Sequence, residues 1–247
     1  LIWADEQDLK FDAENIIVKK GRVLIGTEDS PHQHRLELTL HGDKETSGKS
    51  VYGVKGIYVQ KGQFKVYGNP LERTKTFLMS SVSPGESTVN LMHFVDWQVG
   101  DEVIIGSTSR NPTEGERRVI TQINGNNLTL DRPLEFKHFG GFLDPEDPTG
   151  RDGPVSFGAE IGLLTRNIKI QGDQKSKDEE FGVSLYFTQE TTEVNLSFVE
   201  IRYAGQTVEP FRSSIHFHGV TFSPGHSIED CSIYSSFARG INVNSTS

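Results

Sequence analysis

Two histidines in Ser214-Ile215-His216-Phe217-His218 are the side chains here best suited to chemistry. Residues two apart on an extended strand project from the same face. His216 and His218 therefore share one side, and Ile215 and Phe217 take the other. Two imidazoles so placed hold a transition metal, or one works as acid or base while the other binds an anionic group. A metal needs a third ligand, and Asp230 is the first candidate, with His226 and Glu200 as alternatives. A divalent cation is the one cofactor this pattern leaves room for. Arg202 and Arg212 flank the histidine strand, and their forked guanidinium groups suit the carboxylate of a uronic acid. The plain alternative is a pair of exposed imidazoles bonded to their neighbours.

Other polar groups read more plainly. Asp96, Asp101, Glu102 and Asp131 sit near turns, where carboxylates hydrogen-bond local backbone N–H groups. His32, His34 and Arg35 precede a strand and form either an anion site or a solvated corner. Arg110, Arg117 and Arg118 are the densest basic spot and are expected to be solvated. Trp3 and Trp97 are expected to pack. Asn127, Asn195 and Asn244 each begin an N-x-S/T sequon without proline and are candidate glycosylation sites.

The elements that must position these groups are strands. Leu36, Leu38 and Leu40 alternate with Glu37 and Thr39, which places the leucines on one face. No segment carries a helical apolar period, and Ser176 to Phe181 reads as a charged, solvated loop. Val18-Lys19-Lys20-Gly21 and the strand after it resemble Val59-Gln60-Lys61-Gly62 and the strand after that. A Lys-Gly turn between short strands suits the corner of a coil of stacked strands, because Gly accepts positive φ. Ile215, Ile228 and Ile241 fall at a spacing of 13 residues. The pattern predicts an all-β fold: a right-handed parallel β-helix whose rungs are not stable singly. Ile215, Phe217, Ile228, Cys231, Ile233, Ile241 and Val243 are expected to line its interior. Asn124-Gly125 between apolar strands is a hairpin signal, and it sets a small antiparallel β insert at about 85–137. Phe139 to Phe157 reads as a long loop.

Composition bounds the function. A net charge of −9 opposes binding to nucleic acid. No apolar run nears the roughly 20 residues that cross a bilayer, so any membrane attachment is expected through an anchor outside this chain. Cys231, the only cysteine, cannot form an internal disulfide. With the sequons, this fits a secreted fold held by its own ladders.

The segments Val18–Gly21, Ile25–Glu28, Pro31–Arg35, Leu38–Gly42, Val51–Lys55, Val95–Glu102, Leu128–Leu134 and Ala159–Ile168 together resemble the eight-glycine domain. That domain occurs in fibrocystin, fibrocystin-L and the hyaluronan-depolymerising proteins of the cell surface. Tyr203-Ala204-Gly205-Gln206 and the histidine strand resemble the parallel β-helix that follows it. The pattern is nearer to the fibrocystin-L type. One departure is that Ser213-Ser214 stands where the relatives carry a proline before the histidine strand. The resemblance implies an eight-glycine-like domain over 1–168, β-helix rungs over 169–247, and a place on an extracellular, cell-surface, ciliary or flagellar ectodomain. The expected function is a structural or adhesive module with extracellular proteins, glycans or further copies of itself as partners. The alternative is an enzyme that depolymerises a hyaluronan-type polysaccharide in a β-helix groove.

Overall fold

The computed structural model describes residues 1–47, 52–143, 155–156, 158–207, 212–219 and 225–244. The chain clusters into two compact units, 1–70 with 166–247, and 71–165.

The first unit is a parallel β-helix of five rungs, each of three strands. Rung one holds β1 (Ile2–Trp3), β2 (Leu9–Ala13) and β3 (Asn15–Val18). Rung two holds β4 (Gly21–Ile25), β5 (Leu36–Leu40) and β6 (Gly56–Val59). Rung three opens with β7 (Gly62–Tyr67). The chain then leaves for the second unit, whose strands are β8 (Lys75–Phe77), β9 (Thr88–Asn90), β10 (Glu102–Ile105), β11 (Glu116–Asn124), β12 (Asn127–Leu130), β13 (Phe142–Leu143), β14 (Val155–Ser156) and β15 (Glu160–Leu163). On return, β16 (Ile168–Gly172) and β17 (Ser184–Phe187) complete rung three. Rung four is β18 (Thr191–Ser197), β19 (Val199–Ala204) and β20 (Ile215–His218). Rung five is β21 (His226–Glu229), β22 (Ser232–Ser236) and β23 (Ile241–Asn244). Stacking gives three five-stranded sheets: β1-β4-β7-β18-β21, β2-β5-β16-β19-β22 and β3-β6-β17-β20-β23.

Register explains the stability. Phe11, Leu38, Ile170, Ile201 and Ile233 form one continuous inward file across the second sheet. Ile16, Ile57, Leu185, Ile215 and Ile241 form another across the third. Leu38, Ile57, Ile170, Leu185, Ile201 and Ile215 are essentially inaccessible, and each such side chain contributes about 1.5–3 kcal/mol on burial. Ile215 and Phe217 are buried as expected, while Ile228, Cys231 and Ile233 are partly buried against the core. Ile241 and Val243 depart from expectation at 47% and 52% exposure. They continue the inward files of Ile215 and Phe217, but no described strand stacks on β23, so one side of each stays bare.

The Lys-Gly repeat is a stacked corner. Gly21 and Gly62 are register partners, with φ of 127° and 116°. A Cβ on Gly62 would stand 1.8 Å from the Gly21 carbonyl oxygen, whereas one on Gly21 meets nothing within 4 Å. Gly62→Ala should therefore cost well over the ~1 kcal/mol that sets the scale for such backbone changes, and clearly more than Gly21→Ala. Equal losses in urea melts of the two variants would contradict this packing.

Burial pushes the Cys231 thiol up to about 11, and its Sγ lies 3.5 Å from the Leu196 carbonyl. Native protein should react with a bulky thiol reagent far more slowly than denatured protein, since thiolate is the reacting form. Comparable rates would contradict the placement.

The second unit is wider than the predicted insert at 85–137. Its main sheet is antiparallel, in the order β8-β15-β10-β11-β12-β9. The Asn-Gly hairpin joins β11 to β12 as expected. The closing strands β8 and β15 pair with each other across more than 80 residues of chain, and both are too short to show alternation. A division at 168 does not hold either, because β16 pairs with β5 on one side and β19 on the other. Of the expected loop 139–157, residues 144–154 and 157 lie outside the described residues. The stretch from Ser176 is not a solvated loop: it makes a one-turn helix, α1 (Ser176–Glu179), and Ser176 and Phe181 are fully buried.

Candidate functional site

The outer face of the third sheet carries Ile17, Tyr58, Tyr186, His216 and Asn242 in one register file. The Tyr58 phenol lies against Gly56, where a Cβ would come within 1.9 Å of its ring. Tyr186 stacks on His216 at 5.0 Å and an interplanar angle of 12°. His218, one outward position on, lies 5.8 Å from both of those rings.

The two histidines share the outward face, but their environments differ. His218 is exposed and His216 is completely buried, contrary to a pair of exposed imidazoles. The Asn242 amide donates to His216 Nδ1 at 3.0 Å, so the neutral ring carries its proton on Nε2. Burial, helped by His218 and Arg212, pulls the His216 pKa down to about 4. His216 is therefore neutral and held.

The expected metal set does not assemble. Asp230 sits at the corner between the first and second sheets, where its carbonyl accepts from Arg166 Nε at 2.9 Å. Glu200 is buried on the second sheet, accepting from Tyr234 Oη at 2.6 Å and the Arg166 N–H at 3.1 Å. His226 packs on Phe217 at the interior, and its Nδ1 accepts from the Val194 N–H. Among the described residues no three His, Cys, Asp or Glu side chains are placed to hold a metal ion. The reason is topological: Glu200 and His226 lie on other sheets, His226 on the inner side, and Asp230 lies at the corner between those two sheets.

Arg202 and Arg212 also part. Arg202 on the second sheet donates to Gln171 Oε1 at 2.7 Å and lies 3.8 Å from Glu200. Arg212 lies 4.8 Å over the Tyr58 ring. Burial pulls its pKa down, and its Nη1 is buried without a hydrogen-bond partner among the described residues.

The corner of His32, His34 and Arg35 holds an anion of its own. The Asp5 carboxylate accepts from the Gln33 and His34 N–H groups at 2.7 and 3.0 Å and meets His34 Nδ1 at 2.7 Å. Arg118, expected to be solvated, is buried against Glu116, which also meets His138 Nε2 at 3.0 Å. Asp101 accepts from the local Gln98 N–H as expected, whereas Asp96 and Asp131 accept from the distant Glu72 and Val119 N–H groups, and Trp97 is buried. Asn127 is exposed on β12. Asn195 donates to Ser227 Oγ within an outer ladder. The Asn244 sequon runs into residues 245–247, outside those described.

Sequence reasoning passed over a fully buried, multiply bonded charge. Lys55, fully buried, donates from Nζ to Asp173 Oδ1 at 2.8 Å, Ser176 Oγ at 3.0 Å and the Phe181 carbonyl at 3.0 Å. Its only local signal is the place of Lys55 between Val54 and Gly56.

A parallel three-sheet coil interrupted by an antiparallel unit defines the class: a β-helical module with an insert. Residues 1–79 match the family model described as the G8 domain. The chain is similar to human fibrocystin-L, 30% identical over 98% of this chain and 7% of that protein. It is also similar to a G8 domain-containing protein of Dictyostelium discoideum, 29% identical over 100% of this chain and 16% of that one. Mouse fibrocystin is 27% identical over 100% and 7%. The chain thus spans a small fraction of these relatives' length. Likeness to the solved tailspike gp49 of Pseudomonas phage LKA1 is slight: 15% identity and a TM-score of 0.30, over 81% of this chain and 28% of that one.

Proposed function

We propose that this chain is a rigid structural or adhesive module of a large extracellular or cell-surface protein. A ciliary or flagellar surface is the setting to which the fibrocystin resemblance points. The observation that carries this reading is His216: the side chain best suited to acid–base work is buried, neutral and packed beside the Tyr186 and His218 rings. Glycoside hydrolysis ordinarily uses a pair of carboxylates flanking the scissile bond. Tyr186, Asn242 and Arg212 lie beside the histidine pair. Support also comes from the unbroken inward files, which make a stiff rod with long outer faces for extracellular proteins, glycans or another copy of the chain.

The test is incubation of the secreted chain with size-defined hyaluronan, with and without divalent cations. The polymer should keep its length. Shortening that disappears in His218→Ala would overturn the module reading in favour of a depolymerase.

A further inference from the structure

The chain carries a net charge of −9, yet one cleft of about 400 Å³ has arginines as its only charged lining among the described residues. Gln206, Arg212, Ser213, Phe237, Arg239 and Asn242 form most of its wall. The volume falls within the roughly 300–1,000 Å³ of small-ligand sites.

Two of these residues hold polar atoms that the fold leaves unmatched. Arg212 Nη1 is a buried donor with no acceptor among the described residues, and burial lowers the Arg212 pKa. Gln206 is 2% exposed. Its Nε2 donates to the carbonyls of Val54 and Gly182, both at 3.0 Å, while its Oε1 is a buried acceptor with no donor among the described residues. Unmatched buried polar groups cost stability in proportion to their desolvation. One donor that wants an anion and one acceptor that wants a hydroxyl call for a ligand bearing both groups. Phe237 adds an apolar surface of the kind that packs against sugar C–H groups.

We infer that this cleft binds an acidic saccharide, with Arg212 and Arg239 pairing its anionic group and Gln206 Oε1 accepting a sugar hydroxyl. The site gives a glycan partner to the module proposed above and rests on that reading only in being a binding site, not a cleaving one. Binding should weaken as salt rises, because opposite charges are screened.

The test is calorimetric titration of the whole chain with three tetrasaccharides: one bearing uronic acids, the same one methyl-esterified at its carboxylates, and one that lacks carboxylates but bears sulfate. Wild type should bind at least one acidic sugar and not the esterified one. The first and third arms identify the anionic group. Arg212→Gln and Arg239→Gln should each weaken binding at least tenfold at unchanged melting temperature, with Arg212→Lys retaining part of it. Absence of binding by the wild type, equal binding of the esterified sugar, or unaltered binding in both Gln variants would overturn the site. Shortening of the sugar during titration would overturn the module reading while leaving the site standing.

Discussion

Replacing Lys55 by Ala should destabilise the β-helical unit by about 3–5 kcal/mol, the range for removing one partner of a buried ion pair. Lys55 Nζ supplies three hydrogen bonds, to Asp173, Ser176 and the Phe181 carbonyl. Its ammonium also lies 5.6 Å from the centroid of the Phe181 ring. Burial alone would push the Asp173 carboxyl up, but its bonds to Lys55, Gly42 and Ser176 hold it below the ordinary carboxylate range. Asp173 is thus ionised and depends on the cation. Removing Lys55 strands that charge and opens a void beneath Phe181. The double variant Lys55→Met with Asp173→Leu should recover much of the loss, since an apolar pair is often as stable as a buried ion pair. The measure is the urea midpoint at unchanged slope. A loss under about 1 kcal/mol for Lys55→Ala, on the same scale, would show that the ammonium is not buried as described.

Stability should also fall as pH drops from about 6.5 towards 4. Burial holds the His216 pKa at about 4 in the folded chain, against the ordinary 6.5 of a free imidazole. Between those values the unfolded chain binds the proton and the folded chain does not, so acidification favours unfolding. The contribution is intact above the unfolded value and is lost towards the folded one. A gap of this size is worth about 3 kcal/mol. Burial lowers the His32 and His226 pKa values in the same direction. Asp5 acts lower. Burial would raise its carboxyl, but bonds from Gln33 and His34 bring it from the ordinary 3.8 to about 2, so its stabilisation is lost as pH falls through that interval. In His216→Phe, which keeps a ring in the stack, the pH dependence between 4 and 6.5 should flatten by about one proton. An unchanged slope would place the titrating group elsewhere.

What was legible in the sequence was whatever short-range pattern encodes. The leucine alternation at 36–40, the Lys-Gly corners and the Asn-Gly hairpin each reflect neighbours in the chain, and each recurs in the structure. The inward direction of Ile215 and Phe217 followed from strand period alone. The burial of His216 did not, because an outward position is covered or bare according to what stacks beside it, and Tyr186 lies 30 residues earlier. Lys55 escaped for the same reason: Ser176 is 121 residues away, and nothing near Lys55 announces an anion. The edge of the insert was lost because β8 and β15 carry too few residues for a period. The proposed metal set failed because strand period tells which side of a strand a residue takes, but not which of three sheets it joins.

The continuous stack depends on rung three resuming on rung two after the chain returns from residues 71–165. Glu37 and Lys169 are outward register partners on β5 and β16. Parallel neighbours at strand spacing lie within the Cα separation a disulfide tolerates, about 4.4–6.8 Å. Cysteines placed at 37 and 169 should couple under mild oxidation, with Cys231 left unreacted and the melting temperature not lowered. Cysteines at 37 and 170 should stay reduced, since Ile170 points inward. Coupling of the second pair in preference to the first would contradict the register and, with it, the continuous stack.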